Sequence, residues 1–197
     1  MKNMQFHILF PKVMGDIQLP DLIKPVSKII KNCKEWNVDT NKNEQTQSEN
    51  IFILNDHPEI QQIFTTTVQN FLKDIMKTDC NIQMSTSWIT RAEPNVESHW
   101  HDHNNSWWSA CYYPYPNCKI GFDANDPSQF LIQPTVWTGL NSTLTQFSPS
   151  AGTLYVFPSK LLHKGLLNET RKIRYSLAFN FMPLGLHGHR DSTFNFK

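Results

Sequence analysis

From residue 81 onward the chain is built of short runs rich in Thr, Trp, Phe, Tyr and Val, broken every few residues by Pro, Gly, Asn or Ser. That punctuation constrains the fold more than any other feature. Runs this short, with turn-forming residues between them, read as strands rather than helices. Strands are predicted near 82–92, 98–102, 107–114, 118–123, 129–133, 153–157, 162–167 and 172–182. So many short strands in roughly a hundred residues predict a double sheet or jelly roll.

The N-terminal part has a different period. Leu22, Ile23, Val26, Ile29, Ile30 and Cys33 recur at helical spacing and predict a helix over about 20–35, with Pro25 in its first turn, where a missing N–H matters least. Ile60, Ile63, Phe64, Val68, Phe71, Leu72, Ile75 and Met76 form a second stripe over about 57–77, opened by Pro58 and capped by Asn55 or Asp56. A short strand is expected at 5–13 and another at 51–54, with an exposed polar loop over 37–50 between them. The expected fold class is α+β, mainly β. A single domain over 1–197 packs two N-terminal helices on a jelly-roll core of about 82–185.

Composition narrows the partners. Eighteen basic against 17 acidic residues leave a formal charge of +1, so no general electrostatic grip on nucleic acid is expected. The four cysteines (Cys33, Cys80, Cys111, Cys118) are scattered, with no C-x-x-C pair, which fits reduced thiols in a cytoplasmic protein. The first residues are too poor in apolar side chains for a signal peptide, and no run approaches the roughly 18 apolar residues of a membrane span, so no membrane partner is expected. A homo-oligomer is compatible with all of this.

Within the β region, Ser98-His-Trp-His-Asp-His103 places His99, His101 and His103 on alternate positions. Alternate side chains of an extended segment share a face, so their imidazoles can converge on one metal ion. His163 is the distant partner. Oxygen-activating Fe(II) sites commonly join two histidines and a carboxylate in the form His-x-Asp or His-x-Glu plus a remote His. Here the second position holds His103. Either His103 is itself a ligand, or a bulge turns Asp102 inward; the pleat favours His103. His99 lies toward the entrance. Three histidines also suit Zn²⁺ with an open fourth position, and a surface loop with recurrent histidines is the plain alternative.

The strand 172–182 alternates. Ile173, Tyr175, Leu177, Phe179 and Phe181 are apolar, while Arg174, Ser176, Ala178 and Asn180 occupy the other face. The odd side chains are expected in a core, and the even face then meets water or a polar cavity. Arg174 with Ser176 two residues on can grip a carboxylate, the guanidinium through two parallel hydrogen bonds and the hydroxyl through a third.

Three stretches together resemble the 2-oxoglutarate/Fe(II)-dependent dioxygenase superfamily, and within it the small oxygenases of bacteria and tailed phages. They are Trp100-His-Asp-His-Asn-Asn-Ser-Trp-Trp-Ser-Ala-Cys-Tyr-Tyr113, Gly152-Thr-Leu-Tyr-Val-Phe-Pro-Ser-Lys-Leu-Leu-His163 and Arg174-Tyr-Ser-Leu-Ala-Phe-Asn180. Ala110-Cys111 stands where the family has Gly-Val, and the usual acid is absent from the second ligand position. The resemblance covers about residues 84–185 and implies a double-stranded β-helix. It places His101, His103 and His163 at Fe(II), and Arg174 with Ser176 at the far carboxylate of the cosubstrate 2-oxoglutarate. The activity it implies is hydroxylation of a C–H bond by dioxygen, releasing succinate and CO₂, in the cytoplasm (a host's if the chain is phage-encoded).

Tyr112 and Tyr113, on the strand after the histidines, are further candidates to hydrogen-bond the cosubstrate, although a buried Tyr also serves packing. Trp107, Trp108 and Trp137 are candidates for the substrate mouth or for the core, and His187-Gly-His189 reads as an exposed turn. The substrate, a small molecule or a protein side chain, is left unidentified, since its recognition would fall to loops 104–108, 123–129 and 134–150. Two other readings compete: a zinc or cupin-like metalloenzyme, and a non-catalytic jelly-roll binding or virion protein. The Arg174/Ser176 pair separates the oxygenase from the first of these, since a hydrolase does not need it.

Overall fold

The computed structural model describes residues 5, 8, 11–37, 45–125 and 134–197. In chain order these form β1 (Gly15–Gln18), a 3-10 turn (Pro20–Leu22), α1 (Ile23–Asn32), β2 (Trp36–Asn37), β3 (Thr46–Ser48), a second 3-10 turn (Ile53–Asp56) and α2 (Pro58–Asp74). There follow β4 (Ile82–Ala92), β5 (Trp108–Tyr113), β6 (Ile120–Asp123), β7 (Leu144–Phe147), β8 (Thr153–Pro158), β9 (Leu162–Gly165) and β10 (Arg174–Pro183). A terminal hairpin of β11 (Gly185–His187) and β12 (Phe194–Phe196) closes the chain around a third 3-10 turn, Arg190–Ser192.

A seven-stranded sheet has the order β1-β8-β5-β10-β4-β3-β2, and a three-stranded sheet the order β7-β6-β9. All named pairings are antiparallel. The larger sheet is covered on both faces, which explains why β5 is buried along its whole length. One face carries the helices. Val26, Ile29 and Ile30 of α1 and Phe64, Val68, Phe71 and Leu72 of α2 pack with Tyr112, Leu154, Val156, Leu177, Phe179 and Phe181. Phe64 lies at the centre, its ring 4.6 Å from Phe179 and 5.3 Å from Tyr112. Burying each such side chain contributes on the order of 1.5–3 kcal/mol. The other face meets the smaller sheet through Cys111, Tyr113, Tyr155 and Phe157 against Ile120 and Phe122. This is the mainly β jelly roll flanked by N-terminal helices that the strand pattern predicts.

The alternation of β10 is realised side chain by side chain. Leu177, Phe179 and Phe181 are fully buried under the helices, while Arg174, Ser176, Ala178 and Asn180 line a cavity between the sheets. Strands 82–92, 107–114, 118–123, 153–157, 162–167 and 172–182 form close to their predicted bounds.

Several expectations are corrected. Residues 98–102 form no strand, only an isolated bridge at His101. Residues 51–54 form no strand: Phe52 makes only an isolated bridge with Ser87, and Ile53 and Leu54 enter a 3-10 turn, where Asn50 Oδ1 accepts from the Phe52 N–H and Ser87 Oγ from the Leu54 N–H. α2 begins at Pro58 with His57 at its cap and no side-chain cap bond, since Asn55 and Asp56 belong to the preceding turn. The polar stretch read as a loop over 37–50 contains β3, and β1 and β7 form where no strand was expected. The strand expected at 129–133 lies outside the described residues, as do residues 6, 7, 9 and 10 of that at 5–13, whose described residues are in no strand. Among the described residues no helix is long and apolar enough to cross a membrane, and all four cysteines are free.

Candidate metal centre

The turn between β8 and β9 supplies one side of the site. Leu161 N–H donates to Pro158 O at 2.9 Å, and the chain reverses so that His163 enters β9 facing the inter-sheet cavity. The segment after β4 runs alongside. His101 exchanges both main-chain hydrogen bonds with His163 (3.0 and 2.9 Å), and His103 N–H donates to Ser159 O at 2.9 Å. These bonds hold residues 101–103 extended without a regular ladder, so the alternation survives and His101 and His103 share a side. Ring centroids stand 4.4 Å apart for His101 and His163, 5.2 Å for His103 and His163 and 5.3 Å for His101 and His103. One ligand atom from each lies within 4.8 Å of the others. Asp102, between them, is directed elsewhere: its Oδ2 is 3.7 Å from Lys160 Nζ. The exposed His99 stacks near His101, 5.2 Å between rings, outside the cluster of three.

Two of the imidazoles are oriented by main-chain carbonyls. His101 Nδ1 lies 2.9 Å from His99 O, and His163 Nδ1 lies 2.8 Å from Leu161 O. A carbonyl only accepts, so each Nδ1 carries the proton and each Nε2 presents its lone pair, the state a metal requires. Burial lowers the pKa of all three; the neighbouring His101 adds to this for His103 and His163, and His99 for His101. His103 falls to about 4 and His163 to about 3, with His101 also lowered. All three are therefore neutral near pH 7 and ready to bind a cation without first losing a proton. In the metal-free protein the unfolded chain takes up protons near pH 6.5 while the folded one resists. Between those values the unfolded state binds more protons, so stability rises with pH. Denaturation midpoints of metal-free protein are expected to fall steadily as pH is lowered from about 6.5 toward 4; a midpoint flat across that window would show that the rings are not desolvated.

From the histidines a cavity of about 50 Å³ runs between the sheets toward Arg174. Strand pairing fixes its wall in rungs. Asn180, Ser109 and Phe157 are directly opposed across β10, β5 and β8, followed by Trp88, Ala178 and Cys111 across β4, β10 and β5, then Thr90 and Ser176. At the histidine end, Ser109 Oγ donates to Asn180 Oδ1 at 2.7 Å and pairs with Ser159 Oγ at 2.8 Å, while the Phe157 ring is 4.7 Å from His163. At the other end the Ser176 and Thr90 hydroxyls hydrogen-bond each other, and Arg174 Nη1 donates to Leu166 O. Lys119 and Arg174 are the cations lining the cavity, and among the described residues no Asp or Glu lines it.

Arg174 and Ser176 thus share one cavity with the histidine cluster, as does Tyr113. Burial raises the Tyr113 hydroxyl well above the ordinary phenol, with the Arg174 guanidinium opposing the rise, so it is a protonated donor. Tyr112 is not brought there. It lies on the helix face of β5, and its hydroxyl donates to Leu19 O at 2.8 Å. Adjacent residues of a strand point to opposite faces, so only one tyrosine of the pair can reach the cavity. Trp108 is core, 5.6 Å from Phe71, Trp107 packs against the same cluster, and the exposed Trp137 lines a different hollow. His187 and His189 flank the turn of the terminal hairpin.

The sequence reading missed Trp88, Thr90, Gln45, Gln47 and Gly165, all of which line the cavity. Gly165 is there by necessity: a Cβ on it would stand 2.9 Å from Arg174 Nη2 and 3.1 Å from Gln45 Oε1. Gly165→Ala is expected to fold, because the guanidinium is the far end of a flexible side chain, yet to displace that guanidinium. Its signature is an unaltered thermal transition with weakened binding of a dicarboxylate, which calorimetry would detect.

A jelly roll thus carries, at one end of an internal cavity, three neutral imidazoles close enough to share a metal ion and, at the other, a guanidinium able to meet an anion. Comparison with known proteins sharpens this. Residues 86–180 match the family described as "Putative 2OG-Fe(II) oxygenase". Over that segment, a little under half of its length, the chain is similar to the 2-oxoglutarate/Fe(II)-dependent oxygenases. No curated protein sequence matches the chain. Among solved structures, the non-heme α-ketoglutarate-dependent epimerase SnoN of nogalamycin biosynthesis has a TM-score of 0.65 at 9% identity, covering 87% of this chain and 78% of that one. HygX from Streptomyces hygroscopicus, solved with nickel and 2-oxoglutarate bound, gives 0.62 at 11% identity over 87% and 83% of the two chains. A Pseudomonas putida prolyl-4-hydroxylase gives 0.58 at 12% identity over 88% and 94%. At such identities the likeness is one of fold.

Proposed function

We propose that the protein is a 2-oxoglutarate- and Fe(II)-dependent dioxygenase that hydroxylates a C–H bond of a small molecule or protein side chain, with release of succinate and CO₂. The observation that carries this reading is the presence, in one cavity, of three convergent imidazoles and the Arg174/Ser176 pair.

The donor set fits the metal. Imidazole suits Fe(II), and three nitrogen ligands on one side leave positions open for a cosubstrate and dioxygen. His101, His103 and His163 would hold the ion, with Nδ1–H bonds to His99 O and Leu161 O fixing two of the rings. Since among the described residues no carboxylate joins them, the bound Fe(II) would keep its full double charge, and a dianionic cosubstrate would balance it. Arg174 would pair with the distal carboxylate and the Ser176 hydroxyl would add a hydrogen bond, while Tyr113 donates from the neighbouring strand. Bound there, Fe(II) with 2-oxoglutarate would supply the oxidising power for C–H hydroxylation as the oxoacid loses CO₂. The chain's own part is to orient the reactants and keep bulk water out, which the packed Phe157 and Phe122 rings beside His163 serve.

The epimerase among the structural neighbours marks the nearest alternative outcome of the same chemistry. Formation of succinate from 2-oxoglutarate, dependent on both Fe(II) and dioxygen, tests the activity. Equal succinate formation by protein lacking the three histidines would refute it. A mass gain of one oxygen atom in a substrate tests hydroxylation against epimerisation.

A further inference from the structure

Trp88 sits in the middle rung of the cavity wall, opposed by the small side chain of Ala178, with its ring 5.5 Å from that of His103. It is 92% buried (8% exposed), and its indole Nε1–H has no hydrogen-bond partner among the described residues. A buried donor left unpaired costs the full desolvation of that group, so native structures rarely keep one without a use. Two other buried polar atoms share this condition, Ser27 Oγ and Arg91 Nε, but neither residue lines the cavity. Among the described residues Trp88 alone combines an orphan donor with a place between the histidine cluster and the Thr90, Ser176 and Arg174 end.

On the two flanking strands of its rung Ala178 offers no polar side-chain atom and Cys111 only a thiol, a weak acceptor. With no protein partner at Nε1 among the described residues, a ligand oxygen in the cavity is the acceptor the geometry favours. A ligand that spans from the imidazoles to Arg174 passes Trp88, and if it is an oxoacid it offers oxygens along its length. We infer that the Trp88 indole N–H donates a hydrogen bond to an oxygen of the bound oxoacid, making Trp88 a cosubstrate-binding residue alongside Arg174 and Ser176. This rests on the proposed function, and the experiment separates the two.

Trp88→Phe keeps an aromatic side chain and removes the donor. Anaerobic titration of the Fe(II)-loaded proteins with 2-oxoglutarate is expected to show binding weakened roughly 10-fold to 100-fold in the variant, the usual consequence of losing a hydrogen bond to a charged oxygen, with Fe(II) affinity unchanged. A second measurement on the unaltered protein removes dependence on the variant's folding. With diamagnetic Zn²⁺ in the site, the Trp88 indole N–H proton resonance should move downfield as 2-oxoglutarate is added. Affinity within twofold of the parent, or an indole resonance that stays in place while 2-oxoglutarate binds, would overturn the role of Trp88 and leave the dioxygenase reading intact. Failure of the parent protein to bind 2-oxoglutarate at all would overturn both.

Discussion

Alanine in place of His163 is expected to abolish tight metal binding while leaving the barrel folded. The imidazole is the most buried of the three and stands within 5.2 Å of both others by ring centroid, so it contributes to any shared ion. Its structural role is carried by the main chain. The paired hydrogen bonds with His101 use backbone N–H and C=O groups, which alanine retains. Loss of an orienting partner outside a metal's ligand set typically costs 10-fold to 100-fold in affinity, and loss of a ligand should cost on the order of 10²-fold or more. The expected result is a thermal transition close to that of the metal-free parent, and no rise in that transition when Fe(II) is added. Full metal occupancy in His163→Ala would show that the ion is held elsewhere.

Arg174→Ala is expected to raise the 2-oxoglutarate requirement by on the order of 10²-fold or more, with Fe(II) binding unaffected. Truncating one partner of a desolvated charge pair typically costs about 2–5 kcal/mol, chiefly because the other charge is left buried alone. The cavity offers little substitute: Lys119, the other lining cation, is already paired with Glu169, and Ser176 already bonds Thr90. Arg174→Lys should recover only part of the loss, since an ammonium lacks the planar fork that meets both carboxylate oxygens. Equal 2-oxoglutarate dependence in the alanine variant would remove Arg174 from the site.

The residues that bear these predictions were readable in the sequence for a definite reason. β10 is apolar on one face and polar on the other, so period two separated Arg174 and Ser176 from Leu177 and Phe179 before any pairing was known. His101 and His103 were readable for the same reason, even though the segment is not a regular strand. Two hydrogen-bond anchors, at His163 and Ser159, keep it extended.

β4 and β5 hid their contributions because the larger sheet is covered on both sides. Ser87, Trp88, Ile89 and Thr90 are all buried, so no contrast between faces betrays which of them meets the cavity. Tyr112 and Tyr113 are equally buried and equally aromatic. Only the register, with Tyr112 opposite Leu177, assigns one to the helices and the other to the site. Gln45 and Gln47 belong to a polar stretch with no apolar period, where β3 exists because β4 offers it a free edge. Gly165 carries no side chain to read, and its meaning emerges only from the guanidinium beside it.

The proposed activity requires one ion and one dicarboxylate to meet in the same cavity. Anaerobic addition of Fe(II) and then 2-oxoglutarate to the metal-free protein tests this most directly, by the visible charge-transfer absorption that arises when a 2-oxoacid chelates Fe(II). The proposed activity predicts a band saturating at one 2-oxoglutarate per protein, absent in His163→Ala and shifted to far higher 2-oxoglutarate concentration in Arg174→Ala. Fe(II) bound by the parent protein with no band at saturating 2-oxoglutarate would contradict it.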